Sequence, residues 1–113
     1  MKICPYTDVE VKEVEEKDAN GVSVRWVISD KDGAENFYMR VFDVQPGGHT
    51  PFHKHPWEHE VFILDGCAVI AKEEGEEDAP AGSVVFILPG EQHQFRNKTS
   101  EILRFICLIP KTE

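Results

Sequence analysis

The chain has 113 residues, 41% hydrophobic and 29% charged, with 21 acidic and 12 basic side chains giving a formal net charge of -9. That length supports one core and one domain over 1–113, and the acidic balance argues against a nucleic acid or an anionic membrane as partner. No apolar run is longer than the one at 84–88, far below the roughly 20 residues of a membrane span, and no basic-then-apolar leader opens the chain.

Cys4, Cys67 and Cys107 form no CxxC pair, and an odd number cannot all pair within one chain, so a reducing cytoplasm is the expected setting. From the N-terminus, residues 9–11 alternate, while 12–18 is charged enough to read as edge or loop. The turn signal Asp18-Ala19-Asn20-Gly21 leads into a β-branched strand at 22–28. A loop at 29–36 precedes a strand at 37–44, closed by Gln45-Pro46-Gly47-Gly48.

Residues 50–55 read as strand, 56–58 as a tight connection and 59–64 as the returning strand. Asp65-Gly66 is a hairpin dipeptide, which predicts that 67–72 pairs with the strand before it. The acids around Gly75, at 73–78, read as a solvated turn. Strands follow at 83–88, 93–97 and 102–109, with Pro89-Gly90 and Lys98-Thr99-Ser100 as the turns between them. Short strands at this spacing, with no long amphipathic helix, predict an all-β sandwich or barrel.

Four of the five histidines, His49, His53, His55 and His59, fall between residues 49 and 59, and His93 follows the Pro89-Gly90 turn. Imidazole is the commonest protein metal ligand because it is neutral near physiological pH and has a directional lone pair. On a strand His53 and His55 share a face, with Cα atoms about 7 Å apart. His59 can return beside them from the next strand, and His93 can close the set from a third. His49, a further four residues back, reads as a rim residue, and Glu58 as an exposed or supporting acid.

Two segments, 47–66 and 82–97, resemble the paired motifs of the cupin superfamily, G-x5-H-x-H-x3,4-E-x6-G and G-x5-P-x-G-x2-H-x3-N. Gly47, His53, His55 and Gly66 match the first by spacing, and Gly82, Gly90, His93 and Asn97 match the second, with Leu88 where proline is usual. His59 stands in the place of the usual glutamate; Glu60 is the alternative, but it breaks the count to Gly66. The resemblance is to small four-histidine cupins of the conserved-barrel type. It implies a double-stranded β-helix (jelly-roll) barrel, one divalent transition metal held by His53, His55, His59 and His93, and a homodimer.

Four neutral imidazoles leave the ion's +2 charge uncompensated, which favours an anionic or chelating oxygen ligand. The family favours manganese or iron, with copper, nickel or zinc admissible. Three residues are candidates for the substrate pocket. Arg40, in an otherwise apolar strand, reads either as an outward salt-bridging side chain or as an anchor for a substrate carboxylate. Phe105 and Cys107 alternate together on the last strand, as core residues or as pocket lining.

By family analogy, the expectation is a mononuclear metal-dependent oxidoreductase, dioxygenase-like, acting on a small organic substrate. The alternatives are a non-catalytic, metal-dependent module that binds a small carboxylate, and an enzyme like oxalate decarboxylase. The latter requires a proton donor such as Glu58 or Glu60.

Overall fold

The computed structural model describes residues 1–111, in which two single 3₁₀ turns, Tyr6–Asp8 and Asp30–Asp32, accompany nine strands. The strands are β1 (Val11–Glu13), β2 (Asn20–Ile28), β3 (Phe37–His49), β4 (His59–Asp65) and β5 (Cys67–Lys72), then β6 (Gly75–Pro80), β7 (Val84–Ile87), β8 (Gln94–Arg96) and β9 (Leu103–Pro110). Period-2 alternation decides which side chains face inward. On β9, Leu103, Phe105, Cys107 and Ile109 are buried, with half-exposed residues between them. On β4 the buried set is His59, Val61 and Ile63, while Glu60 and Phe62 point outward.

All neighbouring strands are antiparallel, in the order β6-β5-β8-β3-β9-β4-β7, with β2 added to β3 and β1 to β2. The long β3 makes this a nearly closed jelly-roll barrel, because it pairs with both β2 and β9 and touches β8 through His49 and Arg96. Val22, Val44, Ile63, Ala68, Leu103 and Phe105 are almost wholly buried inside it. Each large side chain among them contributes about 1.5–3 kcal/mol of apolar burial.

Four local expectations are corrected. The Asp65-Gly66 step is not a hairpin: β5 pairs with β6 and β8, while β4 pairs with β7 and β9. Gly66 has φ 82, and a Cβ there would stand 2.7 Å from the Ile102 carbonyl oxygen. It bends the chain from one side of the barrel to the other against that backbone. The acids after Gly75 belong to β6, paired along its length with β5, since an edge strand tolerates charge on its solvent face.

The third correction is that β3 continues through Gly47-Gly48 to His49 instead of ending at Val44. Gly48 permits this, because a Cβ at that position would collide with the Asn20 carbonyl of the neighbouring strand. Fourth, 50–55 is extended but carries only an isolated bridge between His53 and His93.

Asn97 closes the second motif and is 1% exposed. Its amide donates to the carbonyls of Val44 (2.9 Å) and Glu101 (2.7 Å), and its oxygen accepts from the backbone and hydroxyl of Thr99. Truncation removes the side-chain donor to the buried Val44 carbonyl and unties the turn at Thr99, so Asn97→Ala should cost about 3 kcal/mol. Urea unfolding should show the lower midpoint with an unchanged slope.

Candidate functional site

The His53–His93 bridge is reciprocal, His53 N donating to the His93 carbonyl (3.1 Å) and His93 N to the His53 carbonyl (2.9 Å). It pins the extended segment before β4 to the segment entering β8. The His55 carbonyl accepts from Gly90 N, which ties the Pro89-Gly90 turn to the same place. His59 opens β4 on its buried face, and His59 and His93 are only 6% and 4% exposed.

Four rings therefore converge. Centroids are 4.4 Å apart for His53 and His55, 5.0 Å for His53 and His93, and 5.0 Å for His59 and His93. His55 lies 5.2 Å from His59 and 6.3 Å from His93. Among the described residues, no three His, Cys, Asp or Glu side chains are arranged to hold a metal ion as they stand. The fold supplies a cluster of rings, and the chemistry of those rings decides what it can hold.

Each ring is biased to be neutral. Burial, reinforced by the neighbouring imidazoles and Arg40, lowers His53 to about 4 and His59 to about 3. Burial also lowers His55 and His93, in the second case against the opposing pull of Glu91. His93 Nδ1 lies 2.9 Å from the Glu91 carbonyl oxygen, which only accepts. The proton therefore sits on Nδ1, and Nε2 keeps its lone pair free. His59 Nδ1 is buried and has no partner.

The rings lie on the wall of a pocket of about 420 Å³. Its apolar side is a stack: Phe42 over Phe105 at 5.1 Å, and Phe105 over Phe95 at 4.5 Å, within 18° and 15° of parallel. Trp57 stacks on His55 at 4.8 Å. Residues 12–16 border the same space. A larger groove, about 720 Å³ around Lys2, Tyr38 and Lys111, contains none of the histidines.

Of the two readings of Arg40, the structure has the inward one: Arg40 Nη2 donates to Cys107 Sγ at 3.1 Å, inside the pocket. Phe105 and Cys107 line it too, and burial pushes the Cys107 thiol up against the opposing charge of Arg40. Glu58 and Glu60 are exposed and do not line the pocket. His49 stands apart from the cluster, with its Nδ1 3.3 Å from Gln94 Nε2.

Sequence reasoning missed Trp26, Phe42 and Phe95 as pocket residues. The signal for Phe42 was present, since it shares strand parity with Arg40. Phe95 carried the corresponding signal, two residues beyond His93. Trp26 is brought in only by the pairing of β2 with β3, which places it opposite Arg40.

A cupin-domain family profile matches residues 40–109. The polyketide cyclase RemF of Streptomyces resistomycificus is similar over 97% of this chain and 79% of its own, with 35% identity and a TM-score of 0.92. The 1-methylthio-D-xylulose 5-phosphate methylsulfurylase of Rhodospirillum rubrum is 35% identical over 74 residues, which is 63% of this chain and 46% of that protein. This chain thus spans about half the length of that curated relative. A predicted oxalate decarboxylase from Thermotoga maritima shares the fold, with a TM-score of 0.85 at 22% identity over 97% of this chain and 99% of its own. Residues 40–109 include the four converging histidines and most of the barrel that carries them, and the chain belongs to the cupin family.

Proposed function

We propose that this cupin holds one divalent transition-metal ion between His53, His55, His59 and His93 and acts on a small, planar, oxygen-bearing molecule in the adjoining aromatic pocket. The observation that carries the reading is the convergence of four neutral rings at an apolar pocket. With metal–nitrogen bonds of about 2.1 Å, two imidazoles on one ion have centroids about 4.5 Å apart at right angles and about 6.4 Å apart when opposite. The observed spacings, 4.4 to 6.3 Å, lie close to that range. The unpartnered His59 Nδ1 fits the same reading, being a buried nitrogen that the protein leaves without a hydrogen bond.

Bound there, such an ion supplies Lewis acidity toward a ligand oxygen and, if it is manganese, iron or copper, redox capacity. The chain's own residues do the rest. Phe42, Phe95 and Phe105, stacked on one another, form an apolar wall that favours an apolar ligand and excludes water. The Glu91 carbonyl fixes the His93 ring through Nδ1.

The likeness to a polyketide cyclase, at 35% identity over nearly the whole chain, supports rearrangement or ring closure of an enolisable substrate without net oxidation. The dioxygenase reading uses the same site and is favoured by one feature, the water-excluding apolar lining. The decarboxylase reading loses the two donors the sequence offered, since neither Glu58 nor Glu60 lines the pocket, and Glu13, Glu15 and Glu16 at its border are the carboxylates left to it.

The test is to load the purified protein with manganese, iron, copper, nickel or zinc, then supply aryl β-diketones while following product and oxygen together. Conversion without oxygen uptake is expected. Oxygen consumed in step with product points to the dioxygenase, and retention without conversion to a binding module. Failure of every metal to load would end the proposal.

A further inference from the structure

We propose, resting on that reading, that Arg40 selects the charge of the ligand, binding the carboxylate of a planar aromatic acid whose ring lies against the phenylalanine stack. Arg40 stands on β3 opposite Cys107 on β9, so two strands fix it within the barrel. Its guanidinium carbon is 5.2 Å from the Trp26 ring centroid and 4.9 Å from that of Phe42. Aromatic contacts of this kind use the faces of the guanidinium and leave its N–H edge free for an acceptor in the plane.

That edge is poorly served by the protein. Nη2 reaches only the sulfur of Cys107, a weak acceptor, and Nε is buried with no partner. Among the described residues no carboxylate lies within ion-pair distance of Arg40, whereas Lys2, Lys72, Lys98 and Arg104 all have one. A partly buried cation with an unused donor is costly to keep unless a ligand completes it. A guanidinium fork accepts a carboxylate through two parallel N–H bonds, so the chemistry it selects is an anionic O–C–O group. Phe42 and Phe105 beside it set the remainder of the ligand as apolar, and an aromatic ring is the rigid apolar group that suits a wall of ring edges.

Both tryptophans of the chain, Trp26 and Trp57, border the pocket, so intrinsic fluorescence reports occupancy. The experiment titrates 2-naphthoate and its neutral isostere 2-naphthamide into wild type, Arg40→Gln and Arg40→Lys, each metal-free and metal-loaded. Wild type should prefer the acid by about 10-fold or more even without metal, as a charge-assisted bidentate pair predicts. Arg40→Gln should bring the ratio close to one while affinity for the amide is kept; Arg40→Lys should retain part of the preference.

An unchanged ratio in Arg40→Gln, or equal loss of both ligands in Arg40→Gln and Arg40→Lys, overturns the assignment. If the ratio collapses in metal-free Arg40→Gln but no metal ever loads, Arg40 keeps this role and the metal reading falls. If metal loads and the ratio is insensitive to Arg40, the reverse holds.

Discussion

Replacing His59 with leucine should stabilise the metal-free chain by about 1 kcal/mol and at the same time abolish its metal loading. The two effects have one cause. His59 is 6% exposed at the start of β4, beside Ile87 of β7 and on the same face as Val61 and Ile63. Its Nδ1 has no hydrogen-bond partner there, so the metal-free fold carries a desolvated polar atom in an apolar wall. Leucine has a similar volume and no such atom.

What stability gains, function loses. Removing a direct ligand should weaken loading by more than the roughly 10–100-fold that follows loss of a supporting partner. Urea unfolding in the presence of a chelator measures the first effect, and metal titration the second. Glu60→Gln serves as the control: that residue points outward on the same strand, and both quantities should stay at the wild-type value. Normal loading in His59→Leu together with loss in Glu60→Gln would transfer the ligand role to the glutamate.

The inward placement of the histidines was legible because it follows from short-range rules. Alternation on β4 puts His59 inside and Glu60 outside, and the glycines at 47, 66, 82 and 90 all take positive φ where the spacing places a bend. What could not be read was partnership between distant strands. Asp65-Gly66 has hairpin chemistry, yet Gly66 packs on the backbone of Ile102, and β5 finds β6 and β8 instead of β4. A local turn signal is blind to that long-range contact.

The same limit explains Arg40. A lone charge in an apolar strand reads equally well as outward or inward until β9 supplies Cys107 and β2 supplies Trp26 as its neighbours. Acid density misled at 76–78 for a related reason, because composition reports solvent exposure and not whether an exposed segment is paired.

Metal-free protein should lose stability steeply as pH falls from about 6.5 toward 4, mainly through His53 and His59. In the unfolded chain these side chains take up protons below about pH 6.5. In the folded chain His53 resists protonation down to about 4 and His59 to about 3, because burial disfavours the imidazolium and neighbouring rings and Arg40 add to the effect. Within that window the unfolded state binds more protons, so acid pulls the equilibrium toward it. Above the window the penalty is absent; below about pH 3 both states are protonated and the loss stops growing.

Allowing for water that reaches the half-buried His53, the loss between pH 6.5 and 4.5 should be on the order of 2–3 kcal/mol. Carboxylates titrate lower in the same range, so the informative quantity is a difference. The pH slope of the urea midpoint in chelator should be shallower for His59→Leu than for wild type. Bound metal should move the onset of the loss to lower pH and then steepen it, since protons and the ion compete for the same lone pairs. Parallel slopes in the two proteins would mean that the buried imidazoles are not what acid attacks, and with that the view of these rings as neutral donors held ready by burial would fail.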